Sequence, residues 1–488
     1  MFETGIRQFR MAMAMVSGRR INPQLIQRLV ADADATLGEF GSPGDDVDQL
    51  LDGPFADAET RTHFQTQGIR RTTRRLAAHS PFYAARFEAA GLDPRKPDLD
   101  AITAVPPTVK ADLVASAGDF LCRDAHPYLS TRTTGTTGKP AEIWLSRYEA
   151  ELWPAMAALS GLLRDEINHH DCLQINLSSR ATAAVQHDIE VCRLVGARSR
   201  ALGLLPVDQS LDSLMDTAGS GANPPTMLGT YPSYLARLVT AARRRGLGPG
   251  DFSLRRIDVG GEVLSQALAS AARDTLGVTP NDAFAMTEVL PVSGRTCNQG
   301  HLHLDLNMGL VEVLALDGSG PAGPGELGTL VVTPYFPYRD CMPVFRYDTR
   351  DVVRCLAGEP LACNLAGSPG VSRILGKAAE VLDTDTALVT PRDIVEVIEQ
   401  LPSQPWPAQY RARVDHGVLD LTVPAAALAG TTAASLVGRF DERGIGAVVT
   451  VDGSGEPLRS VRADLLETTF TTTRPDGEDR PDRSLVGV

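Results

Sequence analysis

The sequence has few lysines, a negative net charge and no long apolar run. The last two features each exclude a class of protein. Only four lysines occur among the 488 residues, at positions 96, 110, 139 and 377, and arginine supplies the remaining positive charge. The formal net charge of −13 argues against a nucleic-acid-binding protein, because such a protein presents a basic face to phosphates. No stretch approaches twenty apolar residues, so we expect no membrane span and no membrane partner.

Cysteine usage and the N-terminus indicate a protein that is not exported. Seven cysteines, an odd number, favour reduced thiols or metal ligands over a disulfide framework. The apolar run at residues 11–16 is too short for the core of a signal peptide, and Arg19 and Arg20 follow it. We therefore expect a cytoplasmic protein, and we leave open whether two copies form a homodimer.

The order of helix-like and strand-like segments predicts an α/β protein with two domains, and the length alone suggests two or three. The first hundred residues are helical in pattern, and strand-like and helix-like segments alternate from about residue 130 to 375. A helix start lies near Thr390, and one more helix-like run and two strand-like runs follow it. We predict a large layered α/β domain over residues 1–375, a small α+β domain over 376–470 and a disordered tail over 471–488.

Two neighbouring runs further predict a β-hairpin. Residues 301–306 and 310–316 alternate between apolar and polar side chains on either side of the turn Asn307–Gly309. Alternation of this kind around a short glycine-containing turn is typical of two antiparallel strands.

A loop rich in glycine and threonine is the strongest single signal for a binding site. The loop reads Thr133-Thr134-Gly135-Thr136-Thr137-Gly138-Lys139-Pro140. Backbone N–H groups, short hydroxyls and an ammonium can together hold a polyphosphate, although the same residues also suit an ordinary turn. The loop is not a Walker motif, because Pro140 and a strand-like run follow the lysine where a helix would have to begin.

Four further motifs follow this loop in a fixed order. They are Gly260-Gly261-Glu262, Phe284-Ala285-Met286-Thr287-Glu288, Tyr347-Asp348-Thr349-Arg350-Asp351 and Gly376-Lys377. With the segment Val105–Leu113 upstream, this order resembles the adenylate-forming superfamily of acyl-CoA synthetases, most closely its phenylacetate-CoA ligase-like branch. The resemblance covers residues 70 to 402 and implies a large domain followed by a small mobile one.

The resemblance also implies a role for each motif. Thr133 to Lys139 would bind the phosphates of ATP, Gly261 and Glu262 would line the adenine pocket, and Phe284 would stack on the base beside Ala285 and Met286. Thr287 would contact the α-phosphate, Glu288 would carry Mg²⁺, and Asp351 would accept both ribose hydroxyls. Asp351 could instead pair with Arg350 or Arg354. Thr287, Glu288 and Lys377 are the predicted catalytic residues.

The chain departs from the pattern of this family in its last quarter. Ala379 stands where the hinge acid of the family is expected, and no lysine follows Lys377 although the family carries one near its C-terminus. Arg459 or Arg462 aligns loosely with that lysine, but a planar guanidinium is not equivalent to an ammonium. Ala285 also replaces a glycine of the family.

The acid-binding pocket is predicted less specifically than the nucleotide site. Gly260, Tyr231, His187 and Arg180 are the candidate substrate-binding residues, because they fall in the segments where the resemblance places that pocket. Packing and helix capping explain Tyr231 and His187 equally well.

A metal site is also implied, since some members of this branch look to carry a structural zinc in the corresponding segments. Cys297, His303, Cys355 and Cys363 supply three thiolates and one imidazole, a suitable tetrahedral set for Zn²⁺. The alternative is a group of free thiols beside a solvated histidine.

The sequence thus predicts an ATP- and Mg²⁺-dependent ligase that adenylates a small carboxylic acid, aromatic or similarly compact, and releases pyrophosphate and AMP. The activated group would pass to CoA or to another nucleophile. Three alternatives stay open: an amide-forming ligase, an enzyme that activates nitrite to diazotise an aryl amine, and a non-catalytic nucleotide-binding homologue.

Overall fold

The computed structural model describes residues 2–41, 57–133, 140–178, 181–216, 224–358, 361–403 and 406–454, together with Val47, Phe55 and Leu458. The predicted disordered tail therefore lies outside the described residues. Among the helices that the structure does describe, none is both long and apolar enough to cross a membrane.

Helices and strands alternate along most of the described chain. The helices are α1 Phe2–Ser17, α2 Pro23–Phe40, α3 Ala58–His79, α4 Pro81–Ala89, α5 Lys110–Phe120, α6 Arg147–Leu163, α7 Thr182–Val195, α8 Val207–Met215, α9 Pro232–Arg244, α10 Gln266–Leu276, α11 Pro391–Ile398 and α12 Ala433–Asp441. The strands are β1 Pro127–Arg132, β2 Glu142–Ser146, β3 Cys172–Asn176, β4 Arg198–Ala201, β5 Met227–Thr230, β6 Arg256–Val259, β7 Asn281–Phe284, β8 Gly294–Thr296, β9 Leu302–Leu304, β10 Gly309–Ala315, β11 Leu327–Pro334, β12 Tyr347–Arg354, β13 Gly370–Val371, β14 Gly376–Lys377, β15 Leu382–Asp383, β16 Leu388–Val389, β17 Arg411–Asp415, β18 Val418–Pro424 and β19 Ala447–Asp452.

Side-chain caps fix where many of these helices begin. The capping residues are Asn22, Asp57, Ser80, Ser146, Ser265, Thr390 and Thr432, before α2, α3, α4, α6, α10, α11 and α12. Each side chain accepts a hydrogen bond from a backbone N–H of the first turn, which has no partner within the helix. The Thr390 cap, with Pro391 and Asp393 behind it, starts α11 as the sequence predicts.

An eight-stranded sheet forms the centre of the large domain, in the order β13-β9-β8-β7-β6-β5-β3-β4. The pairs from β7 through β6, β5 and β3 to β4 are parallel, and the pairs from β7 through β8 and β9 to β13 are antiparallel. Helices cover the parallel part and form two apolar clusters with it, one against β3 and one against β5 and β6. This mixed α/β architecture confirms the predicted fold class.

A second sheet of four antiparallel strands, β10-β11-β12-β14, packs against the N-terminal helices in the largest apolar cluster. The predicted hairpin between residues 301–306 and 310–316 is wrong, because β9 pairs with β8 and β13 while β10 pairs with β11. The turn at Asn307 instead carries the chain from one sheet to the other. A Cβ at Gly309 would lie 2.7 Å from the carbonyl oxygen of Thr333, so the crossing requires glycine.

The C-terminal part of the described chain has a core of its own. Strands β17, β18 and β19 form a three-stranded sheet, on which α11 and α12 pack. The buried members of the apolar cluster between them run from Val389 to Ile445. Contacts from α11 also reach the large domain: Gln266 N–H bonds Glu396, Ser265 bonds Glu399, and Arg392 donates to the carbonyl of Leu264 at 2.7 Å.

Candidate active site

Three adjacent parallel strands deliver predicted site residues to one edge of the central sheet. Strand β5 ends just before Tyr231, β6 just before Gly260, and β7 just before Ala285. The carboxyl ends of parallel strands lie at the same edge, and ligands of open α/β sheets bind there. The fold therefore brings together three segments that span more than fifty residues of sequence.

Close packing at the end of β6 explains the two glycines. A Cβ at Gly260 would lie 2.9 Å from the carbonyl oxygen of Ala283, and Gly261 has a φ of +79°. The ring of Tyr231 lies 3.6 Å from the position of a Cβ at Gly261. Any larger residue would push the backbone away from β7 or adopt a strained conformation.

Glu262 and Tyr231 are fixed by hydrogen bonds near the start of α9. The Glu262 carboxylate accepts bonds from the Ser233 N–H at 2.8 Å and from its hydroxyl at 2.9 Å. A negative charge at a helix N-terminus is favourable, so these bonds hold the Gly261-Glu262 turn in place. The Tyr231 hydroxyl accepts a weaker bond from the N–H of Ser178 at 3.4 Å.

The segment from Phe284 to Thr287 runs from the core to the surface of the site. Phe284 is only 7% exposed and packs in the largest apolar cluster, and Met286 packs against the same cluster. Ala285 is exposed and Thr287 is half-buried. The segment thus presents both buried and accessible side chains where the nucleotide base and α-phosphate are predicted.

Glu288 is a buried carboxylate with little compensation from its neighbours. It is 2% exposed, and the hydroxyl of Tyr347 donates to it at 3.5 Å. Burial raises the pKa of Glu288, although Lys110 and Lys377 oppose the shift. The site therefore favours an additional positive charge beside this carboxylate.

Asp351 and Lys377 form an ion pair across two neighbouring strands. Asp351 on β12 lies directly opposite Lys377 on β14, and their oxygen and nitrogen atoms are 2.9 Å apart. The lysine also donates to the carbonyl of Thr349 at 3.2 Å. Burial raises the pKa of Asp351, and Lys377 counteracts it. The alternative pairings do not occur, since Arg350 pairs with Asp348 and Arg354 donates to Gly325.

The phosphate loop is described only at its ends. Thr133 is buried, its N–H donates to the carbonyl of Ala141 at 3.0 Å, and its hydroxyl accepts from the N–H of Ala141 at 3.1 Å. These bonds close the loop at its base. The predicted binding residues Thr134, Gly135, Thr136, Thr137, Gly138 and Lys139 lie outside the described residues.

Helix α7 carries the predicted substrate contact His187 and a second titratable group. Burial lowers the pKa of His187 to about 4, so its imidazole is neutral at pH 7. The adjacent Asp188 was missed by the sequence reasoning, and burial, with a contribution from Asp258, raises its pKa to about 7. Only the folded structure reveals this, because both side chains become half-buried when the helix packs. Arg180 lies outside the described residues.

A cluster of cysteine and histidine residues lies beside β8 and β9. Cys297, His301, His303 and Cys363 each place one candidate ligand atom within 4.8 Å of the others. The sequence prediction of Cys355 is wrong for this group, because its sulfur lies against the carbonyl of Ala322. His301 occupies the fourth position instead, and its Nδ1 is buried without a hydrogen-bond partner.

The bonding within the cluster suits a metal. The Nδ1 of His303 lies 3.0 Å from the carbonyl of Ser368, which leaves the Nε2 atom, 3.4 Å from the sulfur of Cys363, facing the cluster. Metal-binding histidines usually use their second nitrogen in this way. Two thiolates and two imidazoles form a closed tetrahedral set for Zn²⁺.

Comparison with known proteins places this site in context. The chain is 24% identical to the phenylacetate-coenzyme A ligase of Thermus thermophilus over 357 residues, which cover 69% of this chain and 75% of the relative. It is also 24% identical to the enzyme of the same name from Escherichia coli, over 68% of this chain and 75% of the relative. No protein-family model matches the chain.

The chain therefore resembles the adenylate-forming superfamily, and in particular its phenylacetate-CoA ligase-like branch. The fold agrees: a 2-hydroxyisobutyryl-CoA ligase in complex with 2-HIB-AMP superposes with a TM-score of 0.68 at 19% identity, over 82% of this chain and 88% of that one. ATP-bound MatB from Rhodopseudomonas palustris superposes with a TM-score of 0.50 at 18% identity, over 70% and 67%. The relatives indicate an ATP-dependent adenylate-forming ligase.

Proposed function

We propose that the protein uses ATP and Mg²⁺ to adenylate a small carboxylic acid and then transfers the acyl group to CoA. The observation that carries this proposal is the meeting of Glu288, Asp351 and Lys377 around strand β12, beside the edge at which β6 and β7 end. In such a reaction a carboxylate oxygen of the acid attacks the α-phosphorus of ATP, and the bond to pyrophosphate breaks. Positioning and charge neutralisation supply most of the catalysis.

The electrostatics of Glu288 support a role in holding Mg²⁺. A buried carboxylate whose pKa is raised by burial gains most from a divalent cation, because the cation restores the charged form. Mg²⁺ prefers carboxylate and phosphate oxygens, and the predicted α-phosphate contact Thr287 directly precedes Glu288 in the chain. Asp351 would receive the ribose hydroxyls once Lys377 moves away from it.

The proposed substrate is a compact, aromatic acid. The Tyr231 ring beside Gly261 and the neutral imidazole of His187 are the described side chains that support an apolar pocket at the edge of the sheet. CoA is proposed as the acceptor because the relatives are CoA ligases. The missing C-terminal lysine and hinge acid are the reason to test other acceptors.

The test is a pyrophosphate-release assay with the full chain over a panel of aryl and alkyl acids. We expect release to depend on one class of acid and on Mg²⁺, and Glu288→Gln to abolish it without unfolding the protein. The exposed residue Glu88 supplies a matched control, and Glu88→Gln should retain full activity. Near-normal turnover in Glu288→Gln would contradict the assignment of Mg²⁺ to this carboxylate.

The same assay separates the remaining alternatives. Mass spectrometry after addition of CoA, an amine, or nitrite with an aryl amine identifies the product of each arm. A thioester supports the proposal, an amide indicates the amide-forming ligase, and nitrite-dependent AMP release indicates the diazotising enzyme. Tight ATP binding without turnover in any arm would identify a non-catalytic homologue and overturn the proposal.

We also propose that residues 376–470 act as the small mobile domain. Their support is the separate apolar core between Val389 and Ile445, together with the polar character of the contacts that α11 makes with the large domain. Polar contacts between domains are compatible with movement, since they can be exchanged for water.

A structural zinc at Cys297, His301, His303 and Cys363 is proposed as well. The orphaned Nδ1 of His301 and the orientation of His303 support it. Metal analysis should find about one zinc per chain, as four protein ligands close the site. Cys363→Ser should lose the metal and lower the thermal midpoint, whereas Cys355→Ser should do neither. Equal zinc content in both variants would contradict this ligand set.

A further inference from the structure

Lys110 stands on a rigid support next to the candidate site. It is the first residue of α5, and the preceding strand-like residue Thr108 is bonded to β12 on both sides: its N–H donates to Arg346 at 2.8 Å, and its carbonyl accepts from Asp348 at 2.9 Å. The Thr108 hydroxyl lies 3.0 Å from that of the buried Tyr83. The start of α5 is therefore held against the strand that carries Tyr347 and Asp351.

The ammonium of Lys110 lacks a partner within the described part of the chain. The side chain is half-buried, and none of the described residues forms a hydrogen bond or an ion pair with it. Glu288 and Lys377 are the charged groups close enough to influence it electrostatically. Burial lowers the pKa of Lys110, with Glu288 opposing and Lys377 adding to the shift. A partly desolvated ammonium in this position gains from an arriving anion.

The other lysines do not offer the same charge. Lys96 is exposed in a turn between α4 and α5, and Lys377 is already bonded to Asp351. Lys139 belongs to the phosphate loop, outside the described residues. The sequence contains no lysine after Lys377. Among the described residues, Lys110 is thus the one ammonium that influences Glu288 electrostatically and has no carboxylate bonded to it.

We propose that Lys110 is a catalytic residue of the adenylation half-reaction and binds the oxygens of the reacting phosphate opposite Glu288. This inference rests on the proposed function. As the acid's carboxylate oxygen forms its bond to the α-phosphorus, the bond from that phosphorus to the pyrophosphate oxygen breaks, and negative charge moves onto pyrophosphate. Lys110 stays protonated throughout and stabilises this charge without transferring a proton.

The test compares Lys110→Met, which keeps the length of the side chain, with Lys110→Arg, which keeps the charge. Lys96→Met is the control for loss of a lysine elsewhere on the surface. We expect Lys110→Met to lower the kcat of pyrophosphate release by about 10- to 100-fold, the usual effect of losing a charged hydrogen bond, with a smaller change in the KM for the acid. Lys110→Arg should recover most of the rate, and Lys96→Met all of it.

Two readouts separate the failure of this inference from the failure of the proposed function. If the wild-type protein releases pyrophosphate and Lys110→Met does so at the same kcat, Lys110 is not catalytic although the function stands. If the wild-type protein releases none with any acid, the proposed function fails and this inference falls with it. Equal loss of rate in Lys110→Met and Lys110→Arg, with lowered thermal midpoints in both, would show a merely structural role and would also overturn the proposal.

Discussion

Replacing Asp188 by asparagine should make the protein more stable at neutral pH. Asp188 lies on α7, where burial and the nearby Asp258 carboxylate raise its pKa from 3.8 to about 7. In the unfolded chain the same carboxyl has its ordinary pKa, so the folded state binds the proton more tightly. An asparagine has nearly the same shape but does not titrate, so it removes this pH dependence from the folded protein.

The size of the effect follows from the shift. A pKa difference of about three units, at about 1.36 kcal/mol each, corresponds to at most about 4 kcal/mol. Asp188 lowers the free energy of unfolding at high pH. Below pH 4 it has no such effect, because the carboxyl is protonated in both the folded and the unfolded state. The cost grows as the pH rises to 7, because folding then keeps a proton that the unfolded chain has released or buries a charge. Wild-type stability relative to Asp188→Asn should therefore fall between pH 4 and pH 7 and level off above it.

Denaturant unfolding at a series of pH values between 4 and 8.5 measures this difference. The fluorescence of Trp144 and Trp153, both in the large domain, follows the relevant transition. Asp441→Asn is the control, because that carboxyl is exposed at the end of α12. The free energies of unfolding of wild type and Asp188→Asn could instead differ by the same amount, within about 1 kcal/mol, at pH 4 and pH 8. That result would refute a raised pKa of Asp188 in the folded protein.

Three further substitutions test the site and its attachment to the small domain. Asp351→Asn should weaken ATP binding by about 10- to 100-fold in calorimetry, since a charged acceptor for the ribose is lost, and unchanged affinity would contradict that role. Arg392→Ala should lower the free energy of unfolding by roughly 3–5 kcal/mol because it strips buried carboxylates of their cation, whereas Arg413→Ala, in an exposed pair, should cost less than about 1 kcal/mol; equal costs would refute the distinction. Gly376→Ala should lower the thermal midpoint, because a Cβ would lie 2.4 Å from the Pro391 ring at a φ of +134°, and an unchanged midpoint would speak against the strain.

The parts of the fold that were predictable from sequence depend on local signals. The cap at Thr390 sets the start of α11 through bonds within one turn, and the apolar spacing of α9 marks a helix on its own. The order of motifs from Gly260 to Lys377 also lies in the sequence itself. Such features need no knowledge of which distant segments touch, and this is why the two helices were predicted correctly.

The errors and omissions all concern contacts between distant segments. The pairing of β9 with β13 and of β10 with β11, rather than with each other, depends on residues sixty or twenty positions away. His301 directly precedes β9 and lies beside Cys363 in the fold, so it joins the cluster in place of Cys355. No sequence pattern reveals that the ammonium of Lys110 lacks a partner among the described residues, since only the bonds of Thr108 to β12 bring it near Glu288.

The pairing of Asp351 with Lys377 has a consequence for how nucleotide and hinge influence each other. A single carboxylate that bonds the lysine in one state and the ribose in another makes the two partners competitors. Under the proposed ribose role of Asp351, nucleotide binding would free Lys377 on β14, the strand that leads into the proposed small domain, and by thermodynamic reciprocity a freed Lys377 would raise the affinity for nucleotide by the same factor. Movement of the proposed small domain and occupancy of the site would then be linked through one pair of atoms 2.9 Å apart.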